Sequence, residues 1–191
     1  MDIRYFLFRY RSYAPLPMLC VALWVAAPTA GSLACGIALA LLGEMMRLWG
    51  VGYAGPETRT VDAPGGNRLI TTGAFAYVRN PIYFGNMLLY VGIAIMSNVW
   101  WVPIVGYSYF QLQYALIISA EEEYLTKTYG DEYFVYRKNV RRYIPRLTAY
   151  RTNSPIFRQF DLMSGLRSEI RTFQAITVAT LIMSAIAIWK S

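Results

Sequence analysis

Three long stretches of this chain contain no charged residue, and they constrain its fold more than any other feature. They are residues 12–43, 80–120 and 172–189. A helix that crosses the ~30 Å hydrocarbon core of a bilayer needs roughly 20 apolar residues. Backbone amides inside lipid must be paired within their own segment, so such stretches are expected to be helical. The pattern therefore predicts an all-α membrane protein.

The lengths of these stretches predict about five transmembrane helices in a single membrane domain, residues 1–191. The middle stretch has 41 uncharged residues, enough for two spans that turn near Ser97 and Asn98. The first stretch is a second hairpin, with its turn at Pro28 and Thr29 and its second helix ending near Tyr53. The last stretch, residues 172–189, is one further span.

The basic residues predict the orientation, because Lys and Arg near helix ends stay on the cytoplasmic side. With the amino terminus inside, 17 of the 18 Lys and Arg residues fall in the cytoplasm, and only Lys190 lies on the opposite side with the carboxyl terminus. The net charge of +7 is then explained by topology and by anionic lipid headgroups, so nucleic acid is not expected as a partner.

Histidine is absent, so any acid–base chemistry must use Glu, Asp, Tyr or Lys. Cys20 and Cys35 both lie in apolar stretches, and they suggest neither a disulfide framework nor a metal site.

Two polar stretches face the cytoplasm in this topology. The first, residues 54–80, is predicted to form a small polar loop or hairpin, with Pro64, Gly65, Gly66 and Asn67 at its turn. The second, residues 121–171, is predicted to be a helical cap that continues the fourth span. A helix that continues through Gly130 would align five side chains on one face, namely Glu122, Thr126, Tyr129, Tyr133 and Tyr136. A helix that breaks at Gly130 would not align them.

Charged residues at the membrane edge are candidates for function. Glu121, Glu122 and Glu123 lie about 100° apart on a helix, so at least one should face the bundle interior. A solvated acidic turn that pairs with nearby arginines is the alternative. Glu44 and Arg47, one helical turn apart, are expected to pair.

The start of the third span has the character of a ligand site. Asn80 is a good helix cap and Pro81 suits the first turn. A helix amino terminus next to Arg79 is also suited to the carboxylate of an amino-acid-like ligand.

These residues form two blocks that resemble the isoprenylcysteine carboxyl methyltransferases over residues 69–147. The first block is Leu69, Thr71, Gly73, Phe75, Tyr77, Val78, Arg79, Pro81, Tyr83 and Gly85. The second is Glu121, Glu122, Leu125, Tyr129, Gly130, Tyr133, Tyr136, Arg142 and Pro145. The family's histidine is Asn80 here, and the phosphatidylethanolamine N-methyltransferases have asparagine at that place. Residues 172–189 are an additional span outside the matched core.

The resemblance implies a methyltransferase that uses S-adenosylmethionine and acts on a membrane lipid or a prenylated substrate. Positions matching the cofactor site are Tyr77, Arg79, Asn80, Pro81, Tyr83, Gly85, Glu121 and Glu122. The candidates for catalytic roles are Glu122, Arg142 and Tyr136. Arg142 could orient a carboxylate acceptor, whereas an amine acceptor would pass its proton to Glu122 or to a nearby tyrosine.

Two other functions remain open from the sequence. Membrane reductases of the steroid or sterol type have a similar Tyr-Phe-Gly motif and use NADPH. The second open function is a non-catalytic membrane scaffold, in which Asn80 in place of the family's histidine marks lost activity.

Overall fold

The computed structural model describes residues 2–55, 68–152 and 159–190, and regular structure in them is entirely helical. The α-helices in these ranges are α1 (Ile3–Arg9), α2 (Leu16–Val25), α3 (Ala30–Ala54), α4 (Pro81–Met96), α5 (Trp101–Asn139) and α6 (Leu162–Lys190). A 3₁₀ turn, Gly73–Ala76, precedes α4. The all-α prediction is confirmed for this part of the chain. The predicted turn at residues 64–67 lies outside it.

Two of these helices, α3 and α6, are long and apolar enough to cross a membrane. The shorter apolar helices α2 and α4 have 10 and 16 residues. Both fall below the roughly 20 residues of a full span. Helix length therefore supports a membrane protein, and the count of five spans stays a prediction.

The helices bring the polar segments to one end of the bundle and two turns to the other. At the first end, Arg4 pairs with Glu123 at 2.8 Å, which joins α1 to the polar half of α5. At the second, the Ala27 amide donates to the Ser97 carbonyl at 2.9 Å, and Lys190 Nζ donates to the Ala26 carbonyl at 2.6 Å. We call these the polar end and the turn end.

Both helical turns form where the sequence predicts them. Thr29 caps α3 through a reciprocal pair of hydrogen bonds with Ser32. Asn98 adopts a positive φ of 56° between α4 and α5, a conformation that asparagine tolerates.

Glycines allow α3 and α4 to pack backbone against backbone. A Cβ on Gly43 would lie 2.6 Å from the Gly85 carbonyl oxygen, and one on Gly92 would lie 2.8 Å from the Gly36 carbonyl oxygen. Small residues permit this close approach in lipid, where van der Waals packing drives helix association. We call this α3–α4 contact the glycine seam. It fixes α4, which carries the candidate site at its first turn.

The first helical part of the predicted cytoplasmic cap ends at Asn139 with α5, and helix begins again at Leu162 with α6. Gly130 lies inside that helix with non-helical angles of φ 49° and ψ −121°, so the chain bends there and still continues. Tyr133 and Tyr136 are consequently buried, whereas Thr126 on the predicted face is exposed. Residues 140–152 then return without regular structure along the 3₁₀ turn.

Candidate functional site

A cavity of about 650 Å³ runs from the polar end into the middle of the bundle. Its polar wall includes Arg79, Asn80, Tyr83 and Glu121, and its inner wall includes Ala22, Ile93, Ala94, Ile176 and Ala179. One cavity thus joins a charged opening to an apolar interior.

Glu121 is the member of the acidic triplet that lines this cavity. Its pKa is raised by burial, while the Tyr83 hydroxyl and the Arg11 charge act in the opposite direction. A carboxylate that is costly to desolvate favours a cation beside it. Glu121 is therefore suited to a positively charged ligand group.

Glu122, the next residue, is buried and bound by two arginines. Arg142 donates to it through Nε at 2.8 Å and Nη2 at 2.6 Å, and Arg79 Nη2 donates to it at 3.0 Å. The hydrogen bonding of Arg142 to Glu122 raises the pKa of the Arg142 guanidinium. Neither Glu122 nor Arg142 is on the cavity wall.

Arg79 connects this ion cluster to the cavity. Its Nη1 donates to the Arg137 carbonyl at 2.9 Å, and its backbone amide donates to the Arg141 carbonyl at 2.9 Å. The guanidinium is held in place by the cap while it lines the cavity opening.

Asn80 occupies the cap position of α4, but its side chain makes no capping hydrogen bond. Its amide nitrogen is buried and has no hydrogen-bond partner in the part of the chain that the structure describes. Asn80 and Pro81 both line the cavity. The Asn80 side chain therefore does not cap α4, and its amide lies at the cavity wall.

The remaining predicted residues are divided between the wall and the scaffold. Tyr136 lines the cavity and donates its hydroxyl to the Phe75 carbonyl at 2.8 Å, and burial raises its pKa. Tyr77 packs its ring against Trp49 at 5.7 Å, and Gly85 lies in the seam against α3. Those two are not on the cavity wall.

A polar cluster halfway along the cavity was only partly predicted. Arg47 pairs with Glu44 at 3.3 Å, as the sequence predicts, and also with Glu169 of α6 at 2.5 Å. Arg47 Nη1 donates to Asn86, and the Thr172 hydroxyl donates to Glu169 at 2.8 Å. We call these five residues the polar collar.

Sequence reasoning missed the Glu169 contribution because residues 121–171 were assigned as a whole to the cap. The available signal was the run from Leu162, which is helical and continues without a break into the last apolar stretch.

Comparison with known proteins places this site in a family. A family model described as phospholipid methyltransferase matches residues 32–132, just over half of the chain. This range contains all but the first two residues of α3, the whole of α4 and the Glu121–Glu122 pair. The chain therefore belongs to the phospholipid methyltransferase family. The resemblance seen in the sequence is confirmed.

Individual relatives are more distant. Cobalt-zinc-cadmium resistance protein CzcN of Cupriavidus metallidurans is 29% identical over 62% of this chain and 50% of that protein. Nickel-cobalt-cadmium resistance protein NccN of Alcaligenes xylosoxydans xylosoxydans is 28% identical over 69% and 56%. Protein-S-isoprenylcysteine O-methyltransferase of Schizosaccharomyces pombe is 33% identical over 54% and 45%. The chain spans about half the length of these relatives. No solved structure matches it.

Proposed function

We propose that this chain is an integral membrane methyltransferase that transfers a methyl group from S-adenosylmethionine to a lipophilic acceptor. The observation that carries the proposal is the single cavity, with charged groups at its opening and an apolar interior. A water-borne donor would enter at the polar end, and a membrane-dissolved acceptor would occupy the inside.

The residues at the opening fit the chemical groups of the donor. Glu121 would bind its ammonium, because a carboxylate in a desolvated wall favours a cation. Arg79 and the unpaired amide of Asn80 would bind its carboxylate. When bound, S-adenosylmethionine would supply an electrophilic methyl group on a sulfonium. The residues of this chain would contribute alignment and a water-poor wall.

Glu122 and Arg142 have positioning roles in this proposal. Glu122 is held by two arginines away from the cavity, so it would order Arg79 rather than touch the donor. For a carboxylate acceptor, Arg47 of the polar collar lines the cavity and Arg142 does not, so Arg47 would orient the acceptor. For an amine acceptor, the carboxylates on the cavity wall, Glu121 and Glu169, are the candidates to receive the proton.

The proposed topology has five spans, with the polar end in the cytoplasm and Lys190 on the opposite side. The shorter helices α2 and α4 would then cross the apolar core together with their turns. The distribution of Lys and Arg supports this orientation.

Methyl transfer tests the proposal. The purified chain in lipid nanodiscs is incubated with methyl-labelled S-adenosylmethionine and either a membrane lipid extract or a prenylcysteine analogue. We expect protein-dependent label in the organic phase. The Glu121→Gln variant should lose this label, and the surface control Glu123→Gln should retain it. Saturable NADPH binding with no S-adenosylmethionine binding would support the reductase instead. Binding of neither would support the scaffold.

A further inference from the structure

We propose that the inner cavity is a channel for one hydrocarbon tail of the acceptor, and that Ala22, Ala94 and Ala179 set the length of that tail. The inference rests on the proposed function, because it assigns the acceptor to the far side of the methyl donor site. It adds a specificity rule that concerns the tail and not the reacting group.

The channel follows α4 inward from the donor site. The α4 residues on its wall run from Pro81 to Ala94, 13 positions later. At ~1.5 Å per residue this is a depth of about 20 Å. The cavity is therefore elongated, and this shape suits an extended hydrocarbon chain more than a compact ring system.

Polarity decreases along this depth. The polar collar contributes Arg47, Asn86, Glu169 and Thr172 to the wall, so the acceptor's polar part would lie at that level. One turn deeper, Tyr90 lines the cavity and is only 8% exposed, and its hydroxyl lies beside that of Tyr114. The Tyr90 hydroxyl would pair with the heteroatom where the acceptor's polar part joins its tail.

Small side chains from three helices close the inner end. Ala22 of α2, Ala94 of α4 and Ala179 of α6 all line the cavity and are at most 2% exposed. Their neighbours Met18 and Ile176 belong to the apolar cluster at the turn end. A larger side chain at any of the three would fill channel volume and not solvent.

The walls also provide a route from the bilayer. Both α2 and α6 line the cavity, yet neither is packed along the other, whereas α6 packs closely against α3. The acceptor would enter sideways between α2 and α6. Cavities of about 300–1,000 Å³ hold one ligand of drug size. This one must also hold the donor, so its inner part has room for a single tail.

The test compares acceptors of rising chain length on the full chain in nanodiscs. The probes are N-acetyl-S-alkyl-cysteines, as carboxylate acceptors, and n-alkylamines, as amine acceptors. The variant is Ala179→Leu, with Ala179→Val as a smaller change should the leucine prevent folding. Ala185→Leu, at an exposed position of the same helix outside the cavity wall, is the matched control.

The expected result is that Ala179→Leu moves the preferred tail to a shorter length and lowers turnover of the longest tails by roughly tenfold or more. Affinity for S-adenosylmethionine and the Ala185→Leu profile stay unchanged. An Ala179→Leu profile that matches the unaltered chain would overturn the inference.

A second readout separates failure of the channel from failure of methyl transfer. The two cysteines, Cys20 and Cys35, are replaced by serine, and Ala179→Cys is labelled with a small maleimide. Long-tailed probes should protect this position and short-tailed probes should not. This result does not require activity. Equal labelling of Ala179→Cys with every probe would contradict the channel, even if the enzyme is active. Protection by long-tailed probes in a chain that binds no S-adenosylmethionine would support the channel and contradict only the proposed function.

Discussion

Two adjacent glutamates at the end of the apolar half of α5 have opposite environments. A helix turns by about 100° per residue, so Glu121 faces the cavity while Glu122 faces the cap. The same step places Glu123 at the surface, paired with Arg4 and Lys127. Three identical side chains thus have three different roles, decided by direction alone.

Replacing Glu121 separates these roles. Glu121→Gln should weaken S-adenosylmethionine binding by tenfold or more, because a charge-assisted hydrogen bond to the ammonium contributes about 1.5–3 kcal/mol. Calorimetry on the chain in nanodiscs measures this. Glu123→Gln is the control. Equal affinity of the two variants would remove Glu121 from the donor site.

The raised pKa of Glu121 predicts a pH dependence of the same affinity. Burial stabilises the protonated carboxyl, whereas a bound cation stabilises the ionised form. Affinity should therefore fall as the pH decreases through the raised pKa, and binding there should release a proton.

Calorimetry in buffers of different ionisation enthalpy measures both effects. Glu121→Gln should abolish the proton release. An affinity of the unaltered chain that stays constant down to the ordinary glutamate range, about pH 4.3, would contradict the assignment.

At the scale of elements, the cap is joined to the start of α4 by ion pairs and backbone hydrogen bonds. Glu122 is 5% exposed and binds Arg79 and Arg142 together. The Arg146 amide donates to the Tyr77 carbonyl at 2.9 Å and the Tyr150 amide to the Ala76 carbonyl at 2.9 Å. The return segment, residues 140–152, therefore depends on this cluster for its position.

Glu122→Gln should destabilise the cap, because it leaves two guanidinium groups without their counter-charge. The expected cost is roughly 3 kcal/mol. It should appear as faster proteolysis within residues 140–152 and a lower thermal midpoint. Glu123→Gln, which removes exposed pairs, should cost less than about 1 kcal/mol. A Glu122→Gln variant as resistant to protease as the unaltered chain would contradict the role of the cluster.

The glycine seam gives a second prediction for elements. Gly43→Ala would place a methyl group 2.6 Å from the Gly85 carbonyl oxygen, so α3 and α4 must separate. The expected loss is at least about 1–3 kcal/mol. Gly31→Ala is the control, since a Cβ there meets no atom within 4 Å. Unfolding in mixed micelles measures both, and equal midpoints would show that the seam tolerates separation.

Helices and turns were predictable from the sequence because they depend on local signals. The absence of charge over residues 80–120 predicts a hairpin, and Ser97 and Asn98 indicate its turn. The bend at Gly130 was not predictable, because glycine permits both a continued helix and a break, and packing against the 3₁₀ turn decides between them.

The site was predictable only as a set of residue types. The motifs select Arg79, Asn80, Tyr83 and Glu121, and these four residues line one cavity. They did not distinguish wall from scaffold, because the direction of a side chain depends on helix rotation. The polar collar needed Glu169, which lies 122 positions from Arg47.

At the scale of the whole molecule, the proposed topology places the two ends of the bundle on opposite sides of the membrane. With Cys20 and Cys35 replaced by serine, Asn98→Cys should react with an impermeant maleimide added outside intact cells. Glu132→Cys should react only after permeabilisation. Labelling of both positions from the same side would contradict the five-span orientation.

In the proposed mechanism, donor and acceptor occupy one cavity from opposite ends. A structure of the chain in nanodiscs with S-adenosylhomocysteine and a long-tailed acceptor would show both positions. We expect the nucleoside product between Glu121, Asn80 and Tyr83, and the tail between α2, α4 and α6 with its end at Ala179. Density for the product away from Glu121, or for the tail outside the cavity, would contradict it.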